Sequence, residues 1–129
     1  MVLKTKRAYE APARTDGLRV LVDRLWPRGL TKVAAHVDTW LKDVAPSEAL
    51  RKEFGHDPER WPAFEKGYAS ELRAAGTPAR AALDELVRHA RLGDVTLVYA
   101  AKDEAHNNAV VLQREIERRL HAPKRRPST

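Results

Sequence analysis

One stretch of the sequence is almost continuously apolar: Asp94-Val95-Thr96-Leu97-Val98-Tyr99-Ala100-Ala101. A strand that is apolar along its whole length is typical of a parallel sheet whose two faces are both covered. The stretch therefore predicts a buried strand inside an α/β domain.

Two further strands are predicted earlier in the chain. Val2 to Thr5 is a short strand-like run, and Leu18 to Leu25 is a longer and more buried one. Residues 37–43 fit either a short strand or a helical turn, because so few residues do not separate the two patterns.

Four helices are predicted between and after these strands, because capping residues, apolar spacings of three or four, and terminal glycines agree. Their bounds are Ser47 to Gly55, Asp57 to Gly76, Thr77 to Gly93, and from the last strand to about Leu120. This order predicts one small α/β domain over residues 1–120, with a short, largely parallel sheet flanked by helices. Residues 121–129 are predicted to form a basic, flexible C-terminal tail.

The composition excludes several classes of function. Cysteine is absent, which excludes disulfides, thiol nucleophiles and thiolate metal sites, and is typical of a reducing compartment. No run approaches the roughly 20 apolar residues of a membrane span, and no signal peptide follows Met1. The sequence therefore predicts a cytoplasmic protein without a membrane partner.

The charge of the chain favours an anionic partner, because the net charge is +6. Residues 114–126 hold six basic residues and two acidic ones. This basic end could bind nucleic acid, although the few aromatic residues have core-like spacings and provide no stacking platform. The alternative is a tail that only aids solubility.

Two polar clusters follow predicted strands. Asp23, Arg24 and Arg28 come after the second strand, and residues 102–108 come after the last one. Ligands of open α/β sheets bind at the carboxyl ends of strands, so the clusters form one pocket if the strands are parallel neighbours. Because arginine forks bind carboxylate and phosphate, we expect a small anionic ligand there. The alternative is a protein-interaction domain without catalysis, which a pocket too shallow to enclose a ligand would favour.

The second cluster also suggests acid–base chemistry. His106 would be a general base and Asp103 would orient its ring. Lys102 would complete the anion clamp or, if it is buried, act as a nucleophile. We expect His106 in the first helical turn, where the helix dipole disfavours imidazolium. The alternative is helix capping by Asp103 and by Asn107 or Asn108, which explains neither Lys102 nor His106.

Other conspicuous residues have structural alternatives as well. Asp23 and its neighbouring arginines could form an ion pair that locks their loop. His56 and Asp57 could be a turn followed by an N-cap instead of part of a site. Trp26 and Trp61 are predicted in the core or in the wall of a pocket. No dinucleotide, phosphate-loop or zinc motif is present, so the sequence identifies no cofactor and no metal site.

Three motifs of the chain resemble one family. They are Arg19 to Leu30, Phe54 to Trp61 and Thr96 to Ala109. In this order they resemble the YeaO-like branch of domain-of-unknown-function family 488, and the resemblance runs from about Val2 to Leu120.

The resemblance implies a small cytoplasmic α/β domain and no established reaction. Longer members of the family carry cysteines where this chain has residues 101–108, so thiol chemistry does not carry over to it. The motif residues form the candidate site: Asp23, Arg24, Trp26, Arg28, His56, Asp57, Lys102, Asp103, His106 and Asn107.

Overall fold

Within residues 2–122, which the computed structural model describes, four parallel strands form one sheet in the order β1-β4-β2-β3. The strands are β1 (Leu3–Arg7), β2 (Leu18–Leu21), β3 (Thr39–Trp40) and β4 (Val95–Tyr99). The continuously apolar stretch is β4, which is fully buried between β1 and β2. The predicted small α/β domain with a parallel sheet is confirmed.

Five α-helices and three short 3-10 turns surround the sheet in the described part of the chain. The helices are α1 (Lys32–Ala35), α2 (Glu48–Phe54), α3 (Trp61–Arg73), α4 (Pro78–Leu92) and α5 (Asn108–His121). The 3-10 turns are Arg14–Asp16, Lys42–Val44 and Pro58–Arg60. None of these helices has the length and apolarity that a membrane crossing requires.

The helix caps predicted from the sequence are largely confirmed. They were predictable because a capping residue bonds to a residue only a few positions further along the chain. Ser47 Oγ accepts from the N–H of Leu50 at 3.2 Å, and Thr77 Oγ1 accepts from the N–H of Arg80 at 3.1 Å. Gly55 and Gly93 end α2 and α4 as expected.

Two helix bounds differ from prediction at the ends of α3. Asp57 caps the 3-10 turn Pro58–Arg60, and α3 itself begins at Trp61. Its last residue is Arg73, so Gly76 lies in the turn to α4 and does not end α3. Gly76 has a φ of 79°, a left-handed conformation that glycine adopts without strain.

The strand bounds also require correction. The first strand is Leu3–Arg7 and not Val2 to Thr5. The second ends at Leu21 and not at Leu25, because the Asp23 carboxylate binds the N–H of Ala100 at 2.9 Å, where a backbone carbonyl would continue the ladder. The same hydrogen bond ends β4 at Tyr99, before Ala101.

Residues 37–43 contain both structures that the sequence allowed. Thr39–Trp40 is a two-residue edge strand beside β2, and the 3-10 turn Lys42–Val44 begins after Leu41. At the other end of the domain, α5 runs to His121, one residue past the predicted boundary. Ala122 follows as its C-cap, and residues 123–129 of the predicted tail lie outside the described residues.

Each face of the sheet has its own apolar packing. Val20, Leu97 and Tyr99 belong to the main core, which they share with α2 to α5. Leu21 and Val98 are the neighbours of Val20 and Leu97 along their strands, so they point to the other face of the sheet. There they pack against the half-buried Trp26 and Trp40. The loop after β2 therefore covers the second face, and its fold depends on the sheet beneath it.

Candidate functional site

The two polar loops of the chain meet at the carboxyl ends of β2 and β4. These strands are parallel neighbours, with Leu21 paired to Val98. Just beyond that pair, Asp23 Oδ2 accepts from the N–H of Ala100 at 2.9 Å, and Asp23 Oδ1 accepts from Asn108 Nδ2 at 3.1 Å. The condition for a shared pocket is met.

A cavity of about 810 Å³ opens between these loops and α2. Nine of the ten predicted site residues line it: Asp23, Arg24, Trp26, Arg28, His56, Lys102, Asp103, His106 and Asn107. Asp57 does not, because its carboxylate caps the 3-10 turn by accepting from the N–H of Glu59 at 3.0 Å. The structure therefore brings together all of the set except Asp57.

Four basic side chains line the cavity without partners. Arg24, Arg28 and Lys102 are exposed and Arg51 is half-buried. Across residues 2–122 none of the four forms an ion pair or donates a side-chain hydrogen bond. The alternative of an ion pair between Asp23 and its neighbouring arginines is therefore not observed.

Asp23 holds the two loops together. Burial raises the pKa of this carboxyl, and this effect outweighs the hydrogen bonds from Ala100 and Asn108 and the positive charge of Arg51, which lower it. The backbone carbonyl of Asp23 also accepts from Trp40 Nε1 at 2.7 Å. Each carboxylate oxygen of Asp23 already accepts a hydrogen bond from the protein. Asp23 is therefore a structural part of the cavity wall.

Asp103 and His106 form a hydrogen-bonded pair at the cavity. His106 Nδ1 lies 2.9 Å from Asp103 Oδ2, and the ring meets Trp61 edge-on with centroids 5.1 Å apart. Hydrogen bonds from the N–H of Ala105 and from His106 hold the pKa of Asp103 below its usual range. The ring of His106 is therefore oriented, and in the described structure its Nε2 has no hydrogen-bond partner.

The start of α5 differs from what the sequence predicted. Asn107 is the N-cap, and its Oδ1 accepts from the N–H of Val110 at 3.1 Å. Asp103 instead closes a turn by accepting from the N–H groups of Ala105 and His106 at 2.9 and 3.0 Å. His106 thus precedes the helix, and the expectation that it lies in the first helical turn was wrong.

His56 lines the cavity in an uncommon backbone conformation. Its φ is 57°, directly after Gly55 at 54°, so two consecutive residues are left-handed. Glycine adopts this conformation freely, but a residue with a side chain is strained there, and such strain is concentrated at functional sites. The turn interpretation of this motif is correct, and the turn also directs His56 to the cavity.

Arg51 is the cavity residue that the sequence gave no reason to select. It lies on α2 three residues before Phe54, which also lines the cavity. Its Nε is buried and has no hydrogen-bond partner, and no other side-chain nitrogen or oxygen in the described chain is in that state. The periodicity of Leu50 and Phe54 predicted the inward face of α2, but not that Arg51 would reach a cavity beside it.

The described residues offer no metal centre. Between residues 2 and 122, no group of three or more His, Asp or Glu side chains is arranged to hold a metal ion. The cavity instead combines basic side chains with an apolar lining, which suits an organic or inorganic anion.

Comparisons with known proteins agree with the motifs. Uncharacterized protein YeaO from Escherichia coli K12 is 37% identical over 112 residues, which cover 87% of this chain and 94% of that protein. Uncharacterized protein Rv3073c from Mycobacterium tuberculosis H37Rv is 42% identical over 110 residues, covering 85% and 89%. No solved structure matches the chain. A family model, DUF488-N3i, matches residues 2–129. The chain therefore belongs to the family described as the inactive DUF488-N3 subclade.

Proposed function

We propose that this protein binds a small anionic ligand in the cavity at the carboxyl ends of β2 and β4. The proposal is carried by one observation: the four basic side chains that line the cavity have no partner in the described structure. Some basic side chains outside the cavity are paired, as in the 2.6 Å ion pair between Arg73 and Glu115, and others, such as Arg91, stand singly in water. The cavity differs because four unpaired basic side chains line the same space. A ligand with negative charge would supply the missing partner.

The acidic residues of the cavity compensate only half of its positive charge, and four basic groups against two carboxylates leave a net charge of +2. Asp23 and Asp103 are the two carboxylates in its lining, against four basic groups. Asp23 is hydrogen-bonded to Ala100 and Asn108, and Asp103 to its own turn and His106. The volume of about 810 Å³ lies within the range of roughly 300–1,000 Å³ that is usual for small-molecule sites.

Arg24 and Arg28 provide the direct test of this proposal. We expect the double variant Arg24→Gln/Arg28→Gln to bind inorganic phosphate and naphthyl phosphate about tenfold or more weakly than the wild type, because two charge-assisted donors are lost. Binding should be measured by calorimetry at low and at physiological ionic strength, and it should weaken with salt.

Arg91→Gln is the matched control, because it removes an exposed charge on α4 that does not line the cavity. Equal losses in the control and in the double variant would mean diffuse attraction to a basic protein. If neither these two phosphates nor the carboxylate naphthoate binds the wild type more tightly than about 1 mM at low salt, the proposal is wrong.

Acid–base catalysis is a second candidate, favoured by the 2.9 Å contact between His106 Nδ1 and Asp103. The description of the family as inactive favours binding without turnover, so catalysis ranks second. Phosphorus NMR of naphthyl phosphate with the protein tests cleavage of this ester. Product formation that stops in His106→Asn would support the pair as a catalyst, and no product with the wild type would overturn ester cleavage by it.

Nucleic-acid binding receives less support from the described structure. Arg114 pairs with Glu65, Arg118 with Glu115, and Arg119 with Asp84. The other basic residues of that end are Lys124, Arg125 and Arg126, which lie outside the described residues. Oligonucleotide binding across a salt series tests this alternative, and no salt-sensitive binding at low ionic strength would end it.

We also propose a cytoplasmic location for the protein, because a chain without cysteine is typical of a reducing compartment.

A further inference from the structure

We propose that the ligand is an aromatic oxyanion, with a phosphate or carboxylate held by Arg51 and a flat apolar body packed against the cavity lining. This inference rests on the proposed anion-binding function and narrows its ligand class. It combines the charge of one inner arginine with the apolar character of the surfaces around it.

Arg51 is placed to receive the anionic group. Its Nε is removed from water without a hydrogen-bond partner, a state that costs free energy and is rare in folded proteins. The side chain is half-buried on α2, whereas Arg24, Arg28 and Lys102 are exposed. Nε is closed to a water-sized group, so an oxyanion in the cavity would accept from the two terminal nitrogens of Arg51, which also present a fork to carboxylate or phosphate.

Apolar side chains from several elements line the same cavity as Arg51. Phe54 follows it on the same face of α2, and Phe64 of α3 stacks on Phe54 with ring centroids 4.6 Å apart. Ala45 and Pro46, just before α2, are buried and line the cavity as well. If a free inorganic anion bound beside Arg51, this apolar lining would remain in contact with water.

The mouth of the cavity is also apolar at two points. Leu25 is 71% exposed and Tyr9 is 44% exposed, and both residues line the cavity. Tyr9 is fixed there, because its hydroxyl donates to the carbonyl of Arg28 at 2.9 Å. Large apolar side chains held in water beside a basic cavity suit a ligand that has an apolar body.

The size of the cavity agrees with such a ligand. Liquid water occupies about 30 Å³ per molecule, so a volume of about 810 Å³ exceeds by many times the space that a phosphate ion needs. An aromatic ring system with one anionic group fills much more of it, and burial of its apolar surface adds affinity.

Four probes separate charge from apolar body: inorganic phosphate, naphthyl phosphate, naphthoate and the neutral naphthalenemethanol. We expect at least one aromatic anion to bind the wild type about tenfold or more tightly than inorganic phosphate does, and also more tightly than the neutral alcohol. Whichever aromatic anion binds more tightly identifies phosphate or carboxylate as the preferred group.

Arg51→Gln should weaken binding of the aromatic anions about tenfold or more, and Arg51→Lys should restore only part of the loss because lysine lacks the fork. Arg51 has no partner in the described protein, so we expect both variants to fold, and the control Arg91→Gln should bind as the wild type does.

The outcomes separate this inference from the proposal beneath it. If neither naphthyl phosphate nor naphthoate binds more tightly than inorganic phosphate, the aromatic body is overturned and anion binding stays in place. Equal affinity of naphthalenemethanol, or wild-type affinity in Arg51→Gln, would likewise overturn the inference. If no anion binds, the proposed function fails together with it.

Discussion

Asp23 links the end of β2 to the end of β4 through its side chain. Its two carboxylate oxygens accept from the N–H of Ala100 and from the amide of Asn108. The sequence marked Asp23 as a ligand-binding residue because polar groups at strand ends often bind ligands. In the structure its two hydrogen bonds join three elements, a role that depends on which strands are neighbours.

Removal of the Asp23 carboxylate should destabilise the protein. We expect Asp23→Ala to lower the free energy of unfolding by about 1–3 kcal/mol, because the Ala100 N–H loses its acceptor. Asp23→Asn should lose less, since an amide oxygen can still accept that hydrogen bond. Urea unfolding at neutral pH measures both, and an alanine variant as stable as the wild type would contradict this role.

At the level of elements, helix capping was predictable from the sequence, but the C-terminal ends of β2 and β4 were not. Ser47 and Thr77 cap helices through residues three positions away, so the local sequence contains the whole interaction. The start of α5 was misplaced because both Asp103 and Asn107 are good caps, and only the turn around His106 separates them. Arg51 was missed because its environment depends on how α2 packs against the loops.

Asp16 joins β1 to β2 near the opposite ends of the strands. Its carboxylate contacts Arg19 at 2.7 Å, Lys4 at 3.0 Å and Lys6 at 3.2 Å. Burial alone would raise its pKa, but the hydrogen bonds from Ala13 N–H and from these three side chains together hold the pKa well below its usual range. The charged form is therefore favoured by folding.

This pKa predicts the pH dependence of stability. A carboxyl with a lowered pKa binds fewer protons when folded, so its stabilisation is present above its unfolded pKa of about 3.9 and is lost as the pH falls below that value. Asp16→Asn should cost about 3–5 kcal/mol at neutral pH, because Arg19 stays buried without its charged partner. The difference from the wild type should shrink progressively below about pH 4.

Urea unfolding between neutral and acidic pH measures this difference. Asp84→Asn is the control, because Asp84 is a partly exposed carboxylate whose ion pairs with Arg80 and Arg119 are screened by solvent. A loss in Asp16→Asn that does not change with pH would show that the ionisation of Asp16 does not control acid stability.

For the molecule as a whole, four basic side chains lie together at one edge of the sheet. The parallel order β1-β4-β2-β3 brings the loops of β2 and β4 together, and α2 adds Arg51 between them. Four basic groups at one cavity repel one another, and this repulsion weakens the folded state when no anion is bound. The same arrangement makes the stability of the protein sensitive to anions.

Ligand binding and folding are therefore linked. An anion that binds only the folded state at a hundred times its Kd stabilises it by about 2.7 kcal/mol, which raises the Tm of a domain of this size by roughly 10 °C. We expect naphthyl phosphate to give such a shift in the wild type.

The double variant Arg24→Gln/Arg28→Gln should have a higher Tm than the wild type in the absence of ligand, because the repulsion among the basic side chains is relieved. Its Tm should rise much less than that of the wild type when the ligand is added. Calorimetric melting at low ionic strength measures both. A ligand-induced shift of equal size in the double variant would place the stabilising anion outside this cavity.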